Sequence, residues 1–401
     1  MKRRVRGQKV KRILIIEAQM KQYRLPFYAR LHESLRAEGM QLRVAYSGPA
    51  QEELGKRDNC ELPRGYGLKV KGSWLLKKRL LYQPLLREIH SADLVISDQS
   101  NKLVLTHYLL LLSRMGIKRV AFWGHGENKQ ASSSFFLERY RKRTLHWVTW
   151  WFAYTVGAAE YLYRQGVPKS RVTAVQNSVD TRQIRECLQS FDANARAALR
   201  ACLEIPAAAP VGIFVGTLQK IKSLPFLLEA CLRIREKVYD FHLLVVGGGD
   251  EEEQIRQSGA QHTWMHFTGP KFEEEKARLL GIADVFLLPG AVGLAILDAF
   301  AAGLPLVTTS VPMHGPEMEY FEQHGNGVMT ACEVEAFAEA AVRLFLNPQE
   351  LRSLQEGARS TGRKYSIEAM AEKFRNGIAL CLAGEQPDGI RSAWRGEEGT
   401  S

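Results

Sequence analysis

Two short stretches carry the residue types that bind and stabilise anions. In "FVGTLQKIKSLPFLLEA" (214–230), Lys220 and Lys222 lie between a glycine-ended apolar run and a helical pattern. A cation at a helix start suits a phosphate, although two lysines also read as solvated surface. "VFLLPGAVGLAILDAFAAGLPLV" (285–307) holds one formal charge, Asp298. Pro289 and Gly290 break this run into a strand, a tight turn and a helix closed by Gly303, which excludes a membrane span. The turn offers the backbone N–H groups of Gly290, Ala291, Val292, Gly293 and Leu294 at a helix N-terminus, a natural anion or hydroxyl site. The same glycines also serve a sharp strand-to-helix turn with no ligand at all. Burying an unpaired carboxylate is costly, so Asp298 is expected to face something polar.

Other residues are less specific. "GGGDEEE" (247–253) ends a strand but lacks GxGxxG, and its acidic run would repel a pyrophosphate, so a nicotinamide dinucleotide is not expected. His125, between Gly124 and Gly126, is either a packed structural residue or one that orients a sugar or acceptor. Arg24, next to Tyr23, either neutralises a diphosphate or sits on the surface. There is no Asp-x-Asp and no His/Asp cluster at metal spacing, so neither a metal nor another cofactor is expected.

The elements that must position these residues alternate. In the first half, "RILIIE" (12–17), "LRVAYS" (42–47), "DLVISD" (93–98), "RVAFWGHG" (119–126) and "FAYTVG" (152–157) read as strands with helices between them. In the second half "VGIFVGT" (211–217), "HLLVVGGG" (242–249), "MHFTGP" (265–270), "DVFLLPG" (284–290) and "LPLVTT" (304–309) do the same, separated by helical patterns. Both halves therefore predict doubly wound α/β domains. The 401 residues suit two domains, with a join near 180–205. Six cysteines without a CxxC pair point to a reducing compartment. The longest apolar run before Glu17 is the four residues 13–16, shorter than a secretory signal needs, which predicts a cytoplasmic chain. Charge is uneven: residues 1–190 carry a net +20 and residues 191–401 a net −8. One half is thus expected to meet an anionic surface.

The ordered series "FVGTLQKIKSL", "LLVVGGGD", "FTGP" and "ADVFLLPGAVGLAILDAFAAGLPLVTT" resembles the retaining GT-B glycosyltransferases of the GT4 family. "YRLPFYARL" (23–31), "FWGHGEN" (122–128) and "VQNSVDT" (175–181) are similar to signatures of one subgroup, and the likeness spans about residues 12–380. It implies a GT-B fold of two Rossmann-like domains facing a cleft. Residues 1–190 would bind the acceptor and 191–364 the nucleotide sugar; a helix over 365–384 would cross back, and 385–401 would be a disordered tail. It further implies Lys222 as ligand of the leaving diphosphate and Asp298 as acceptor of the ribose hydroxyls. Gly216, Thr217, Gly247, Lys271 and the 290–294 turn would complete the donor site, with Tyr23, Arg24, Gly124 and His125 on the acceptor side. Two positions depart from the family pattern. Thr217 stands where an arginine is frequent, and Gly290 where the first of two carboxylates eight positions apart is usual.

"LKVKGSWLLKKRLLYQPLLR" (68–87) and "FFLERYRKRTLHWVTWWF" (135–152) mix basic, aromatic and leucine residues. Each reads as a core helix with charges outside or as an interfacial segment. Two of them in the basic half favour a peripheral hold on an anionic membrane over nucleic acid. The combined reading is a metal-independent retaining glycosyltransferase, taking a UDP- or GDP-sugar to a glycan or lipid-linked acceptor in bacterial surface-polysaccharide synthesis. A sugar-nucleotide epimerase and a non-catalytic scaffold on the same fold are the alternatives.

Overall fold

A computed structural model describes residues 10–48, 60–76, 80–100, 102–126 and 135–384. It divides into two compact units, residues 1–177 with 368–401 and residues 178–367.

The first unit contains β1 (Lys11–Gln19), β2 (Met40–Ser47), β3 (Gly67–Lys69), β4 (Ser73–Leu75), β5 (Leu80–Tyr82), β6 (Leu94–Asp98), β7 (Arg119–Gly124), β8 (Trp150–Ala153) and β9 (Val172–Ala174). Seven of these form a sheet in the order β3-β2-β1-β6-β7-β8-β9, every pair parallel; β4 and β5 form a separate antiparallel ribbon. The second unit contains β10 (Val211–Val215), β11 (His242–Val246), β12 (Met265–Gly269), β13 (Val285–Leu287), β14 (Leu306–Thr309) and β15 (Gly327–Thr330). They form one parallel sheet in the order β12-β11-β10-β13-β14-β15. Every residue of β10 and β11 is buried, as helices on both faces of a parallel sheet require.

In such sheets ligands sit outside the carboxyl ends of the strands where the strand order reverses. That point lies between β1 and β6 in the first unit and between β10 and β13 in the second. The expected chemistry-bearing loops leave these strands: Arg24 follows β1, Lys222 follows β10, and the 289–294 turn follows β13. As the run containing Asp298 predicts, Pro289 ends a short strand, a helix spans Ala295–Ala302, and Gly303 closes it at φ 74°.

Several expectations are corrected. The boundary lies at 177/178, because Ile184, on the helix Arg182–Ser190, is buried in the second unit's core. The strand expected over 152–157 is Trp150–Ala153, and a helix capped by the Thr155 hydroxyl begins at Val156. Neither basic-aromatic stretch is one continuous helix, the helix Phe135–Thr144 giving way to β8 in the second of them. Trp150, Trp151 and Phe152 form β8 and are buried, since a central parallel strand hides both faces. Residues 68–87 run through β3 and the β4–β5 ribbon, where Trp74, Leu75 and Leu76 are exposed. The C-terminal helix spans Ile367–Ala383 and belongs to the first unit. Its Phe374 stacks on Phe152 with ring centroids 4.4 Å apart and packs against Phe27 and Trp123. The expected tail over 385–401 and residues 127–128 lie outside the described residues. Among the described residues no helix is long and apolar enough to cross a membrane.

Candidate functional site

In the second unit, the loop after β10 is shaped by glycines of the neighbouring strand. A Cβ on Gly247 (φ 148°) would lie 1.8 Å from the Gly216 carbonyl oxygen, and one on Gly249 2.5 Å from that of Leu218. The triple-glycine turn therefore lets two loops touch, and Gly247, expected at the donor, has this packing reason for being glycine. The loop then makes a 3-10 turn over Lys220–Lys222. Ser223 takes the left-handed conformation and the helix Leu224–Lys237 begins. Lys220 and Thr217 are exposed; Lys222 turns inward.

Lys222 meets the 289–294 turn at close range. Its Nζ donates to the Ala291 carbonyl at 2.5 Å, and the Ala291 amide donates to the Ile221 carbonyl at 2.8 Å. A Cβ on Gly290 would lie 2.4 Å from the carbonyl carbon of Lys222 and 2.5 Å from the Ile221 oxygen. Gly290 is thus the residue against which the lysine loop packs. Burial lowers the Lys222 pKa, and the nearby Glu317 carboxylate partly restores it.

Two residues that the sequence reading did not single out complete this corner. His314 accepts from the Val292 amide at Nδ1 (3.1 Å) and, being neutral there, donates from Nε2 to the Thr309 carbonyl (2.7 Å). Burial holds its pKa down, the Thr309 carbonyl opposes, and the Lys222 charge lowers it further. Glu317 is buried, with Oε2 2.7 Å from where a Cβ on Gly315 would stand. Gly315 itself donates to the Val292 carbonyl at 2.6 Å. The segment "MHGPE" (313–317) follows β14, one strand beyond the turn, so strand order alone could have flagged it.

These contacts correct the idea that all five turn amides are open. Ala291 and Val292 are used internally, whereas no acceptor among the described residues takes the amides of Gly293 and Leu294. Gly293 has open space where a side chain would project. Beside a half-buried ammonium and at a helix start, this gap is where an anionic ligand fits.

Asp298 has a different answer from the one expected. Its Oδ2 accepts from Lys276 Nζ at 2.8 Å, with side chains 14% and 24% exposed. The partly buried carboxylate is thus compensated within the protein, by a residue of the helix Glu273–Gly281. Lys271, expected at the donor, pairs with Glu275 on that helix at 2.8 Å. Among the described residues no group of three His, Cys, Asp or Glu side chains is placed to hold a metal ion.

In the first unit, β1, β6, β7 and the loop after β8 bring together Glu17, Asp98, Trp123 and Tyr154, joined by Arg24 and Tyr28. The Arg24 guanidinium lies 4.0 Å above the Trp123 ring centroid and flanks Tyr23 and Tyr154. Its Nη1 is buried with no hydrogen-bond partner among the described residues. Glu17 accepts from the Tyr28 hydroxyl, and Asp98 from Tyr154. Burial raises the Glu17 pKa against the pull of Arg24 and Tyr28. Burial, then the Glu17 charge, push Asp98 up to about 7. Two carboxylates facing one guanidinium therefore hold a titratable proton near neutrality. His125 packs edge-on to Tyr154 with centroids 4.3 Å apart. The Gln99 amide clamps its loop, accepting from the Gly126 N–H at 2.9 Å and donating to the Gly126 carbonyl at 3.2 Å. Gly124 is buried, and a Cβ there would touch Gln99 at 3.0 Å. Tyr23, 41% exposed, forms the rim.

The chain is 28% identical over 220 residues to a D-inositol 3-phosphate glycosyltransferase from Corynebacterium urealyticum, covering 51% of this chain and 50% of that one. It is 27% identical over 201 residues to an amylovoran biosynthesis glycosyltransferase from Erwinia amylovora, covering 47% and 45%. The chain thus spans about half the length of the curated relatives it matches. An Anabaena protein crystallised with UDP superposes with a TM-score of 0.68 at 14% identity, over 92% of this chain and 100% of that one. The fold of two Rossmann-like units is GT-B, and residues 209–347, which hold Lys222, the 289–294 turn, Asp298, His314 and Glu317, match the family described as glycosyl transferases group 1.

Proposed function

We propose that the protein is a retaining glycosyltransferase that moves a sugar from a UDP- or GDP-sugar to a glycan or lipid-linked acceptor in bacterial surface polysaccharide or glycolipid synthesis. The observation that carries this reading is the half-buried Lys222 ammonium beside the unengaged Gly293 and Leu294 amides, at the carboxyl ends of β10 and β13. As the bond to the anomeric carbon breaks, negative charge builds on the leaving diphosphate. A lysine and helix-start amides fixed beforehand stabilise that charge with little reorganisation, the role a divalent cation has elsewhere, so no metal is required. In this reading Lys222 exchanges the Ala291 carbonyl for a phosphate oxygen. Asp298 offers its second oxygen to the ribose, and the first unit's Arg24, Tyr23 and His125 receive the acceptor. The names of the curated relatives and the UDP bound by the Anabaena protein support the same chemistry. We further propose that the chain acts at the inner face of a membrane. The exposed Trp74, Leu75 and Leu76, in the basic half, supply apolar contact with anionic lipid.

A second reading, a non-catalytic scaffold, draws on one observation: both Lys222 and Asp298 already have partners inside the fold. Thermal shift with UDP and GDP separates the two. A nucleotide at about 100 times its dissociation constant stabilises the protein by roughly 2.7 kcal/mol. Stabilisation by one nucleotide, lost in Lys222→Ala and in Asp298→Ala, supports the transferase. No shift with either, in folded protein, favours the scaffold.

A further inference from the structure

The second unit is acidic, with 18 Lys and Arg against 24 Asp and Glu over residues 178–367. Yet five of its arginines line one cavity of about 530 Å³ with a single acid among them, Asp284. They are Arg185, Arg196, Arg200, Arg359 and Arg363. The cavity lies before β13 and β14, at Gly281–Asp284 and Gly303–Leu304, and so at the opposite ends of the strands from Lys222.

Two of the five have a structural task. Arg196 donates to the Gly281 carbonyl at 2.8 Å and Arg200 to that of Ile282 at 3.1 Å, satisfying the end of the helix Glu273–Gly281. Even so, Nε of Arg200 is buried without a partner among the described residues. The other three are not explained this way. Arg185 reaches only the Thr181 hydroxyl, at 2.6 Å, and Arg359 and Arg363 have no carboxylate within 4.0 Å among the described residues. Asp284, whose Oδ2 accepts from the Val211 amide at 2.8 Å and whose charge acts on Arg200, offsets at most one of the five guanidinium charges.

The spacing sharpens the contrast. Arg196 and Arg200, and again Arg359 and Arg363, stand four apart on their helices, where like charges repel. Elsewhere in this unit Arg233, Arg256 and Arg278 pair with glutamates three or four residues away. A cavity of this size holds a small molecule, and guanidinium forks match phosphate oxygens.

We propose that this cavity is a second anion site that takes a compact polyphosphorylated group, either a free phosphorylated molecule or the phosphate headgroup of an anionic lipid. It is independent of the donor site, and its test is built to keep the two apart. Sodium pyrophosphate is titrated calorimetrically at constant ionic strength into wild type, Lys222→Ala and the Arg359→Ala/Arg363→Ala variant, the last made in the Lys222→Ala background so that the donor site does not contribute. The same proteins are sedimented with phosphatidylcholine vesicles, with and without phosphatidic acid.

The expected result is pyrophosphate binding that persists in Lys222→Ala and weakens at least about tenfold in the double arginine variant. Sedimentation that needs phosphatidic acid and the two arginines, without binding of free pyrophosphate, assigns the lipid source instead. Should the double variant unfold, Arg185→Ala takes its place. Binding that disappears with Lys222, or that survives the arginine substitutions, overturns the proposal. So does the absence of both pyrophosphate binding and phosphatidic-acid-dependent sedimentation.

Discussion

Gly290→Ala is the substitution most directly tied to the geometry of the site. The added methyl would lie 2.4, 2.5 and 2.6 Å from the Lys222 carbonyl carbon, the Ile221 oxygen and the Lys222 Cα, all of them backbone. No side chain can swing away, so the 221–222 loop must move. Overpacking of this kind costs about 1–3 kcal/mol. The loop movement also weakens the Ala291-to-Ile221 hydrogen bond, worth about 1 kcal/mol. Against this, alanine loses less chain entropy on folding, a gain of about 0.4–1 kcal/mol. The net loss is about 1–3.5 kcal/mol, or about 2–14 °C in the second unit's Tm at about 2–4 °C per kcal/mol. Gly293→Ala is the matched control, since nothing lies within 4 Å of its added methyl. Its Tm should stay within about 1–2 °C of wild type, while a ligand approaching that amide would meet the methyl and lose its stabilising shift. Differential scanning calorimetry of both variants, with and without UDP, reads all four quantities. A Gly290→Ala protein as stable as wild type would refute the argument that loop packing keeps this position glycine. Gly290→Glu, which places a carboxylate at this position, should be no more stable and should not strengthen nucleotide binding.

Three further outcomes follow from other contacts. Asp298→Asn removes the partner of Lys276 and should destabilise the second unit by about 1–3 kcal/mol; Lys276→Met frees the same carboxylate, so a ribose role predicts weakened UDP binding in the first variant and retained binding in the second, by calorimetric titration. Burial, with the neighbouring His266 and Arg235, holds His242 at about 4 against an ordinary 6.5. Its contribution to stability is therefore complete above pH 6.5 and lost as pH falls toward 4, and His242→Asn should flatten that part of the Tm–pH curve. Asp98 has the opposite sign, because its folded pKa of about 7 exceeds the ordinary 3.8. The stability it gives is present below pH 3.8 and lost as pH rises through 7. Asp98→Asn should raise the first unit's Tm at pH 8, with the difference vanishing near pH 4, read by urea or thermal unfolding.

The sequence alone determined the architecture and the local half of the candidate site. Alternating apolar runs and helical patterns specify two parallel α/β units, because hydrophobic period and turn residues act over a few positions. Lys222 and the 289–294 turn were legible for the same reason: each lies on a loop directly after a strand, at a helix start. What strands bring together across the sheet was not legible. His314 and Glu317 reach the Val292 amide and Lys222 from beyond β14, and Lys276 neutralises Asp298 from another helix. Trp150 and Trp151 looked like interfacial aromatics because composition cannot tell a membrane face from a strand buried on both sides. The raised pKa values of Glu17 and Asp98, and the five arginines before β13 and β14, are likewise products of packing. Charge and pKa depend on distances and burial, which residues far apart in the chain acquire only when the sheet folds.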